Sequence, residues 1–283
     1  MISYFKNFFF LIRLDKPIGV FLLFWPTAFG LWVASEGNLE VSVLLVFTAG
    51  CFLMRSAGAA VNDFFDQDYD RKVLRTHLRP LAKKDISNAE AIISIIFILL
   101  LSLSLLYFLN NMARYAAFFA FILATTYPLA KRFINIPQLY LGACYSMGIV
   151  MAFAHYRNAF PLECWILFLA NCFWVLAYDT VYALSDREDD EILGLKSSAL
   201  YFKGFEKKLI WGCYLFFITL LCLLAFHMSY PLFFYFGNII CFAYILFLML
   251  STNFKISSDC SKFFKKNHWL GMLIFLNISL VYL

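Results

Sequence analysis

Charged residues are scarce in this sequence: only 14% of its 283 residues are Asp, Glu, Lys or Arg, whereas 63% are hydrophobic. A soluble domain is about a quarter charged, so this composition excludes an ordinary soluble protein. No hydrophilic block is long enough to form a separate soluble domain, and we therefore expect one domain over residues 1–283. With a mean hydropathy of +0.77, the chain is predicted to be an all-α, polytopic membrane protein.

Zinc-type ligand patterns are also missing. The eight cysteines include no C-x-x-C pair and lie mostly in apolar segments, and the four histidines lack ligand spacing. We therefore expect these side chains to pack in the interior rather than to form disulfides or metal sites. The net charge of +5 does not indicate nucleic-acid binding, because the basic residues flank apolar segments as topology determinants do.

Nine apolar segments approach the roughly 20 residues that a membrane-spanning helix needs. Their approximate limits are 17–35, 41–61, 91–109, 112–130, 137–156, 161–181, 209–227, 231–250 and 268–283. Of the 23 Lys and Arg residues, 20 lie before the first segment or in the loops that follow even-numbered segments. Because cytoplasmic loops are enriched in Lys and Arg, the sequence predicts nine transmembrane helices with a cytoplasmic N-terminus.

A polar stretch at residues 62–79 follows the second apolar segment. Asp63, Asp66 and Asp70 are spaced i, i+3 and i+7 in it, so on a helix they share one face. Three neighbouring carboxylates repel one another unless water or a cation surrounds them, and carboxylates suit hard cations such as Mg²⁺ or Ca²⁺. The spacing therefore predicts a metal site, whereas Asp68 lies off this face and is expected to be solvated.

A second acidic cluster follows the sixth segment. Asp186 and Asp190 are spaced i and i+4, and Asp179 precedes Asp186 by seven residues. On one continuous helix these three side chains would share a face, which would match the face of Asp63 and Asp70. Asp179 ends an unbroken apolar run, and a lone carboxylate near the membrane interior is costly unless it is paired or metal-bound.

Basic residues accompany both clusters. They are Lys72, Arg75, Lys131, Arg132 and Lys196. Carboxylates beside cations indicate an anionic ligand that shares the metal, and Mg²⁺ typically binds through few carboxylates plus substrate phosphates, so a diphosphate fits. Arg55 lies within an apolar helix. We expect it to face the interior of the bundle and either to pair with an aspartate or to receive an anionic co-substrate.

The sequence resembles a known family in several short motifs. Asn62-Asp63-x-x-Asp66-x-x-x-Asp70, the tail Arg79-Pro80-Leu81 and Asp186-x-x-x-Asp190 are similar to the two aspartate-rich motifs of the UbiA superfamily of intramembrane prenyltransferases. Further matches are Arg13-Leu14-Asp15-Lys16-Pro17-Ile18-Gly19, Leu53-Met54-Arg55, Tyr127-Pro128, Lys131-Arg132, Tyr178-Asp179-Thr180 and Gly194-Leu195-Lys196-Ser197. The resemblance runs from about residue 13 to about residue 200.

This resemblance implies a fold and a reaction. Nine helices would surround a central cavity that opens toward lipid, in a bacterial inner membrane, with the site facing the cytoplasm. The activity would be transfer of a long-chain polyprenyl group from polyprenyl diphosphate to C3 of 4-hydroxybenzoate in ubiquinone biosynthesis. Mg²⁺ would be held by Asp63, Asp66, Asp70, Asp186 and Asp190. Diphosphate would be bound by Asn62, Lys72, Arg75, Lys131, Arg132 and Lys196. Asp179 would polarise or deprotonate the phenol, and Arg55 or Arg132 would hold the carboxylate.

Two alternatives stay open at this point. One keeps the superfamily and changes the acceptor to homogentisate, dihydroxynaphthoate or a porphyrin, because 4-hydroxybenzoate rests on the resemblance alone. The other is a transporter for divalent cations or an anionic solute, with which intramembrane charges and a weak internal repeat are compatible. The placement of the charged clusters at one side of the membrane, rather than at its midplane, argues against transport.

Overall fold

The computed structural model describes residues 2–73 and 76–283, without the side chains of residues 2–5 and of Lys131. These two stretches form helices and contain no strand. The helices are α1 Ile2–Leu11, α2 Ile18–Ala34, α3 Val41–Asp70, α4 Asn88–Leu105, α5 Asn111–Phe133, α6 Pro137–Arg157, α7 Leu162–Leu184, α8 Arg187–Leu193, α9 Ser198–Tyr201, α10 Glu206–His227, α11 Leu232–Ser251 and α12 Ser257–Ser279. Short 3-10 turns follow α4 and α12 at Leu106–Phe108 and Leu280–Tyr282.

Every predicted apolar segment overlaps one of the long helices α2–α7 and α10–α12, which confirms the all-α prediction for the described residues. Six helices there are long and apolar enough to cross a membrane, namely α3, α4 with its 3-10 turn, α6, α7, α10 and α11. Two predicted limits were wrong. Helix α3 continues to Asp70 instead of ending at 61, and α12 begins at Ser257 instead of 268. In both cases the helix extends beyond its apolar part into polar sequence.

Local hydrogen bonds determine where two of these helices begin. At the start of α4, the Ser87 hydroxyl accepts from the backbone N–H of Glu90, and the Glu90 carboxylate accepts from the backbone N–H of Ser87 at 2.8 Å. This capping box satisfies two amides that helix geometry leaves unpaired. At the start of α5, the Asn110 side chain accepts from the Ala113 N–H at 2.8 Å and donates to the Ala154 carbonyl of α6. Asn110 therefore separates α4 from α5 and attaches the turn to α6.

Helix α7 lies at the centre of the bundle and packs against α2, α6, α10 and α12. Its Trp174 is fully buried and donates from Nε1 to the side-chain oxygen of Asn267 at 3.0 Å. The same oxygen accepts from the Tyr214 hydroxyl at 2.8 Å. Because a buried amide is costly unless it is hydrogen-bonded, this arrangement joins α7, α10 and α12 in one geometry behind the cavity described below.

The expectation of one continuous helix through Asp179, Asp186 and Asp190 was wrong. Helix α7 ends at Leu184, and α8 begins after Asp186, whose backbone (φ −111°, ψ 2°) is not helical. The Ser185 hydroxyl donates to the Tyr182 carbonyl at 2.6 Å and to the Asp186 carboxylate at 3.3 Å. Such local side-chain hydrogen bonds compete with helix propagation, so the Ser-Asp pair ends α7 and redirects the chain.

Candidate active site

A large cavity of about 1040 Å³ lies between α2, α3, α4, α5, α6 and α7. One end, here called the polar end, is lined by charged and amide side chains. They are Arg13, Asp15, Lys16, Asn62, Arg79, Asp186, Asp190, Lys196 and Lys265. A second region, here called the apolar arm, is lined mostly by aliphatic and aromatic side chains from α3, α4 and α5, with Ser102 and Arg114 as polar exceptions. The cavity therefore combines a site for a charged group with a long space for a hydrocarbon.

The apolar arm reaches the outer surface of the bundle between α4 and α5. Leu103 of α4 and Phe118 and Phe121 of α5 line the arm, and they are also 60%, 61% and 40% exposed. Large apolar side chains that are both cavity walls and outer surface mark an opening of the cavity on an apolar side of the molecule. The predicted cavity that opens toward lipid has this form.

The carboxylates of the α3 cluster, Asp63, Asp66 and Asp70, lie on one helix face as predicted, and the structure pairs two of them with arginines. Asp63 is 2% exposed and accepts from Arg13 at 2.5 Å and from Arg79 Nη1 at 3.1 Å. The same Arg79 nitrogen donates to Asp70 at 2.6 Å. The two arginines, rather than the carboxylates, line the cavity at this point.

Arg13 connects the loop before α2 with Asp63, the first residue of this cluster. Burial of its guanidinium acts to lower the pKa of Arg13, but the adjacent Asp63 carboxylate outweighs this and the pKa is raised. Arg13 therefore carries a permanent positive charge at the polar end. An arginine held by a carboxylate on one side and facing a cavity on the other is suited to bind an anion there.

The second pair of carboxylates faces the cavity. Asp186 immediately precedes α8 and Asp190 lies within it, and both line the polar end together with the amide of Asn62 from α3. Among the described residues, no three His, Cys, Asp or Glu side chains form a group that could hold a metal ion by themselves. Mg²⁺ usually keeps several waters and binds through one or two carboxylates plus phosphate oxygens. Two carboxylates one helical turn apart, beside cavity-facing cations, fit an Mg²⁺ ion that is shared with a diphosphate.

A second polar group lies farther into the cavity. Arg55 of α3 and Asp179 of α7 line it together with Tyr127, Tyr145 and Tyr178. The arginine and the aspartate are both close enough to act electrostatically on all three phenols. The Nε of Arg55 and the hydroxyl of Tyr178 are buried and have no hydrogen-bond partner among the described residues. Buried polar atoms that face a cavity without a protein partner indicate that a ligand completes their hydrogen bonds.

The other predicted cations do not all line the cavity. Lys196 lines the polar end and donates to the Phe133 carbonyl at 3.0 Å. Arg132 lies outside the lining and contacts α3, with its guanidinium 5.8 Å from the Tyr69 ring centre. Lys72 is exposed at the end of α3. Arg75 lies outside the described residues, and so does the side chain of Lys131.

Several lining residues were not predicted as site residues. They are Arg13, Lys16, Gly19, Arg79, Tyr127, Tyr145, Tyr178 and Lys265. Arg79 belongs to the basic tail of the first motif, so its position there was a usable signal. The tyrosines could not be distinguished among the 35 Phe, 16 Tyr and 6 Trp of the chain. Lys265 had the pattern of a topology-determining lysine, and only the packing of α12 places it at the cavity.

Together, these features define an α-helical membrane protein whose cavity has one polar end and an apolar arm. Residues 23–277 match the model of the UbiA prenyltransferase family, so the chain belongs to that family. A 4-hydroxybenzoate octaprenyltransferase of Polynucleobacter necessarius subsp. necessarius is 43% identical over 279 residues, which cover 98% of this chain and 96% of the relative.

Solved structures show the same fold at lower sequence identity. The apo structure of a UbiA homologue from Aeropyrum pernix K1 superposes with a TM-score of 0.79 at 21% identity, and covers 93% of this chain and 98% of its own. A UbiA homologue from Archaeoglobus fulgidus, bound to GPP and Mg²⁺, has a TM-score of 0.72 at 20% identity, and covers 98% of this chain and 99% of its own. The helical architecture around the cavity is therefore that of the family.

Proposed function

We propose that this protein transfers a polyprenyl group from polyprenyl diphosphate to C3 of 4-hydroxybenzoate. The observation that carries the proposal is the division of one cavity into three parts: a polar end, an apolar arm, and Arg55 with Asp179 between them. A prenyl diphosphate has a charged head and an apolar tail, which match the first two parts. The acceptor has a carboxylate and a phenol, which match the third. The name of the relative from Polynucleobacter supports the same acceptor.

At the polar end we assign the diphosphate to Arg13, Arg79 and Lys196, together with the predicted Asn62, Lys72, Arg75, Lys131 and Arg132. The proposed Mg²⁺ ligands are Asp186, Asp190 and the α3 carboxylates Asp63, Asp66 and Asp70, of which Asp63 and Asp70 are also paired with arginines. Bound Mg²⁺ would stabilise negative charge on the leaving diphosphate. The arginines and lysines supply fixed positive charge for the same purpose.

The acceptor is assigned to the middle of the cavity. Arg55 holds the carboxylate, and Asp179 polarises or deprotonates the phenol, which makes the ring position next to the hydroxyl more electron-rich. The bond between prenyl C1 and the diphosphate oxygen breaks with its electron pair on the diphosphate, ring C3 bonds to prenyl C1, and C3 then loses its proton. Apolar walls exclude water, which would otherwise capture the allylic cation.

The membrane arrangement is also a proposal. We propose nine spans, α2–α7 and α10–α12, in a bacterial inner membrane. The polar end of the cavity is built from the loop before α2, the loop after α3, α8 and the start of α12. These are the Lys- and Arg-rich connections that the charge pattern assigns to the cytoplasm. The acceptor and the diphosphate head group would therefore bind from the cytoplasmic side. The apolar arm would hold the polyprenyl chain at the depth of the membrane.

The direct test supplies purified protein in lipid nanodiscs with labelled 4-hydroxybenzoate and an octaprenyl or shorter prenyl diphosphate. We expect 3-prenylated product by mass spectrometry and its loss in excess EDTA, with recovery when Mg²⁺ is restored. Full-rate product formation in EDTA would remove the metal from the proposal. Competition with homogentisate and dihydroxynaphthoate tests the acceptor: preferential prenylation of either one would keep the transferase and replace 4-hydroxybenzoate.

A further inference from the structure

Gly19 and Arg55 are in close contact across the α2–α3 interface. Gly19 is buried, lines the cavity and lies against the guanidinium of Arg55. A Cβ added at position 19 would lie 2.8 Å from Nη2 and 3.0 Å from Cζ of Arg55, and closer still to Nε. Carbon contacts are most favourable at about 3.5–4.0 Å, so a methyl group and the present guanidinium position exclude each other.

The backbone does not require glycine at this position. Gly19 is the second residue of α2 and does not have a positive φ. Alanine is a better helix former than glycine, so α2 itself would tolerate it. The atoms that a new Cβ would meet are the end of a long, flexible side chain rather than backbone. Space for Arg55 is therefore what the glycine provides, and a methyl group would move the guanidinium while the helices stay in place.

The position of Arg55 matters because the described residues do not satisfy all of its hydrogen-bonding groups. Its Nε is buried without a hydrogen-bond partner, and no ion pair with Arg55 occurs within residues 2–73 and 76–283. Arg55 is partly buried, and a guanidinium in the interior of a helix bundle without a carboxylate partner marks a place for an anion. Its planar fork binds a carboxylate well only in a defined orientation.

We infer that Gly19 is a positioning residue for acceptor recognition. Because it has no side chain, the Arg55 guanidinium can occupy the position from which it binds the acceptor carboxylate. Gly19 thereby favours acceptors that carry a carboxylate. This inference rests on the proposed function, because that function supplies the carboxylate-bearing acceptor. It assigns a role to Gly19 that is exerted only through Arg55 and that does not involve the diphosphate or the metal ligands.

The test compares wild type with Gly19→Ala on two acceptors, 4-hydroxybenzoate and its neutral methyl ester. We expect the ratio of kcat/KM for acid over ester to fall about tenfold or more, since a charge-assisted hydrogen-bond pair is lost. The KM for prenyl diphosphate should stay within about twofold. Gly58→Ala is the matched control: Gly58 also lines the cavity on α3, no atom of the described residues lies within 4 Å of its added Cβ, and the acid-to-ester ratio should not move.

A double variant separates positioning from general damage. In an Arg55→Gln background the added methyl has no guanidinium to displace, so Gly19→Ala should cause no further fall in the ratio. An equal fall in that background, an unchanged ratio in Gly19→Ala, or parallel losses for acid and ester would each overturn the inference. If wild type does not prenylate 4-hydroxybenzoate, the proposed function fails. Binding of acid and ester, followed by tryptophan fluorescence, then decides whether Gly19 sets a carboxylate site.

Discussion

The acidic clusters of α3 and α8 have similar spacing and very different surroundings. On α3, Asp63 and Asp70 are buried and engaged by Arg13 and Arg79, so positive charge reaches the cavity in front of them. On α8, Asp186 and Asp190 themselves line the cavity. One cluster therefore presents arginines to a ligand and the other presents carboxylates. This difference gives the polar end both signs of charge, as a site for a metal and an anion together requires.

The contrast also has an energetic side. A buried carboxylate that holds two arginines contributes to the fold, and removing it leaves cations without a partner. A carboxylate that faces a cavity is partly hydrated, so replacing it should affect ligand binding more than folding. Variants in the two clusters should therefore separate into losses of stability for α3 and losses of turnover for α8.

The largest effect is expected for Asp190→Asn. It removes one of two cavity-facing carboxylates on α8, and we expect kcat to fall about 100-fold or more, as for loss of a group that stabilises charge in the transition state. The thermal unfolding temperature in detergent should stay within about 1–2 °C, since the side chain is not in the packed interior. Product formation and thermal unfolding are the two measurements.

The matched control is Glu188→Gln, on the same short helix with an exposed side chain. It removes one negative charge at a similar place in the chain and should leave kcat within about twofold. A near-normal rate in Asp190→Asn would take this residue out of the site. A large loss of thermal stability would place Asp190 with the structural carboxylates of α3 and remove the contrast between the clusters.

Much of this fold and part of this site are predictable from the sequence, for physical reasons. The helices of the apolar segments were predictable because their length and composition match what a bilayer demands. The shared face of Asp63, Asp66 and Asp70 was predictable because helix periodicity alone determines it. Asp186 and Asp190 at the cavity follow in a similar way, because Asp186 caps α8 and its carbonyl accepts from the Asp190 N–H at 2.8 Å, which keeps the two residues one turn apart.

The unpredicted features depend on contacts between distant parts of the chain or on local competition. Arg13 and Asp63 are 50 residues apart, and no periodicity relates them. The contact of Gly19 with Arg55 arises from the packing of α2 on α3. The break between Asp179 and Asp186 was missed because their spacing by seven residues favours one continuous helix, whereas the Ser185 hydroxyl bonds locally and redirects the chain.

An intermediate effect, mainly on stability, is expected for Asp63→Asn. Arg13 loses the carboxylate it contacts at 2.5 Å, while Arg79 keeps Asp70. Because the two arginine side chains are 21% and 18% exposed, some of the lost interaction is replaced by water. We expect a loss of about 2 kcal/mol in the free energy of unfolding, less than the 3–5 kcal/mol typical of fully buried pairs. Reversible denaturant titration in detergent micelles measures it.

Asp68→Asn provides the control on the same helix. Asp68 is 80% exposed and pairs with Arg71 at the surface, so its loss should change stability by less than about 0.5 kcal/mol. If Asp63→Asn kept wild-type stability and instead raised the Mg²⁺ concentration needed for half-maximal rate, Asp63 would act mainly in its proposed role as a metal ligand. The α3 cluster would then resemble that of α8, and the contrast in stability between the two clusters would be wrong.

The smallest effect is expected for Ser185→Ala, which tests the break between α7 and α8. The hydroxyl bonds the Tyr182 carbonyl and the Asp186 carboxylate, so its removal should loosen the orientation of Asp186 without unfolding either helix. A single hydrogen bond is worth about 0.5–1.5 kcal/mol net. We therefore expect kcat to fall about two- to fivefold and the Mg²⁺ requirement to rise by a similar factor.

Ser257→Ala is the control, because Ser257 donates to the Ser185 carbonyl and leaves the Asp186 contact intact. If the two variants behaved alike, with unchanged Mg²⁺ dependence, the Ser185 hydroxyl would not orient Asp186. The cavity-facing position of that carboxylate would then follow from the backbone of α8 alone.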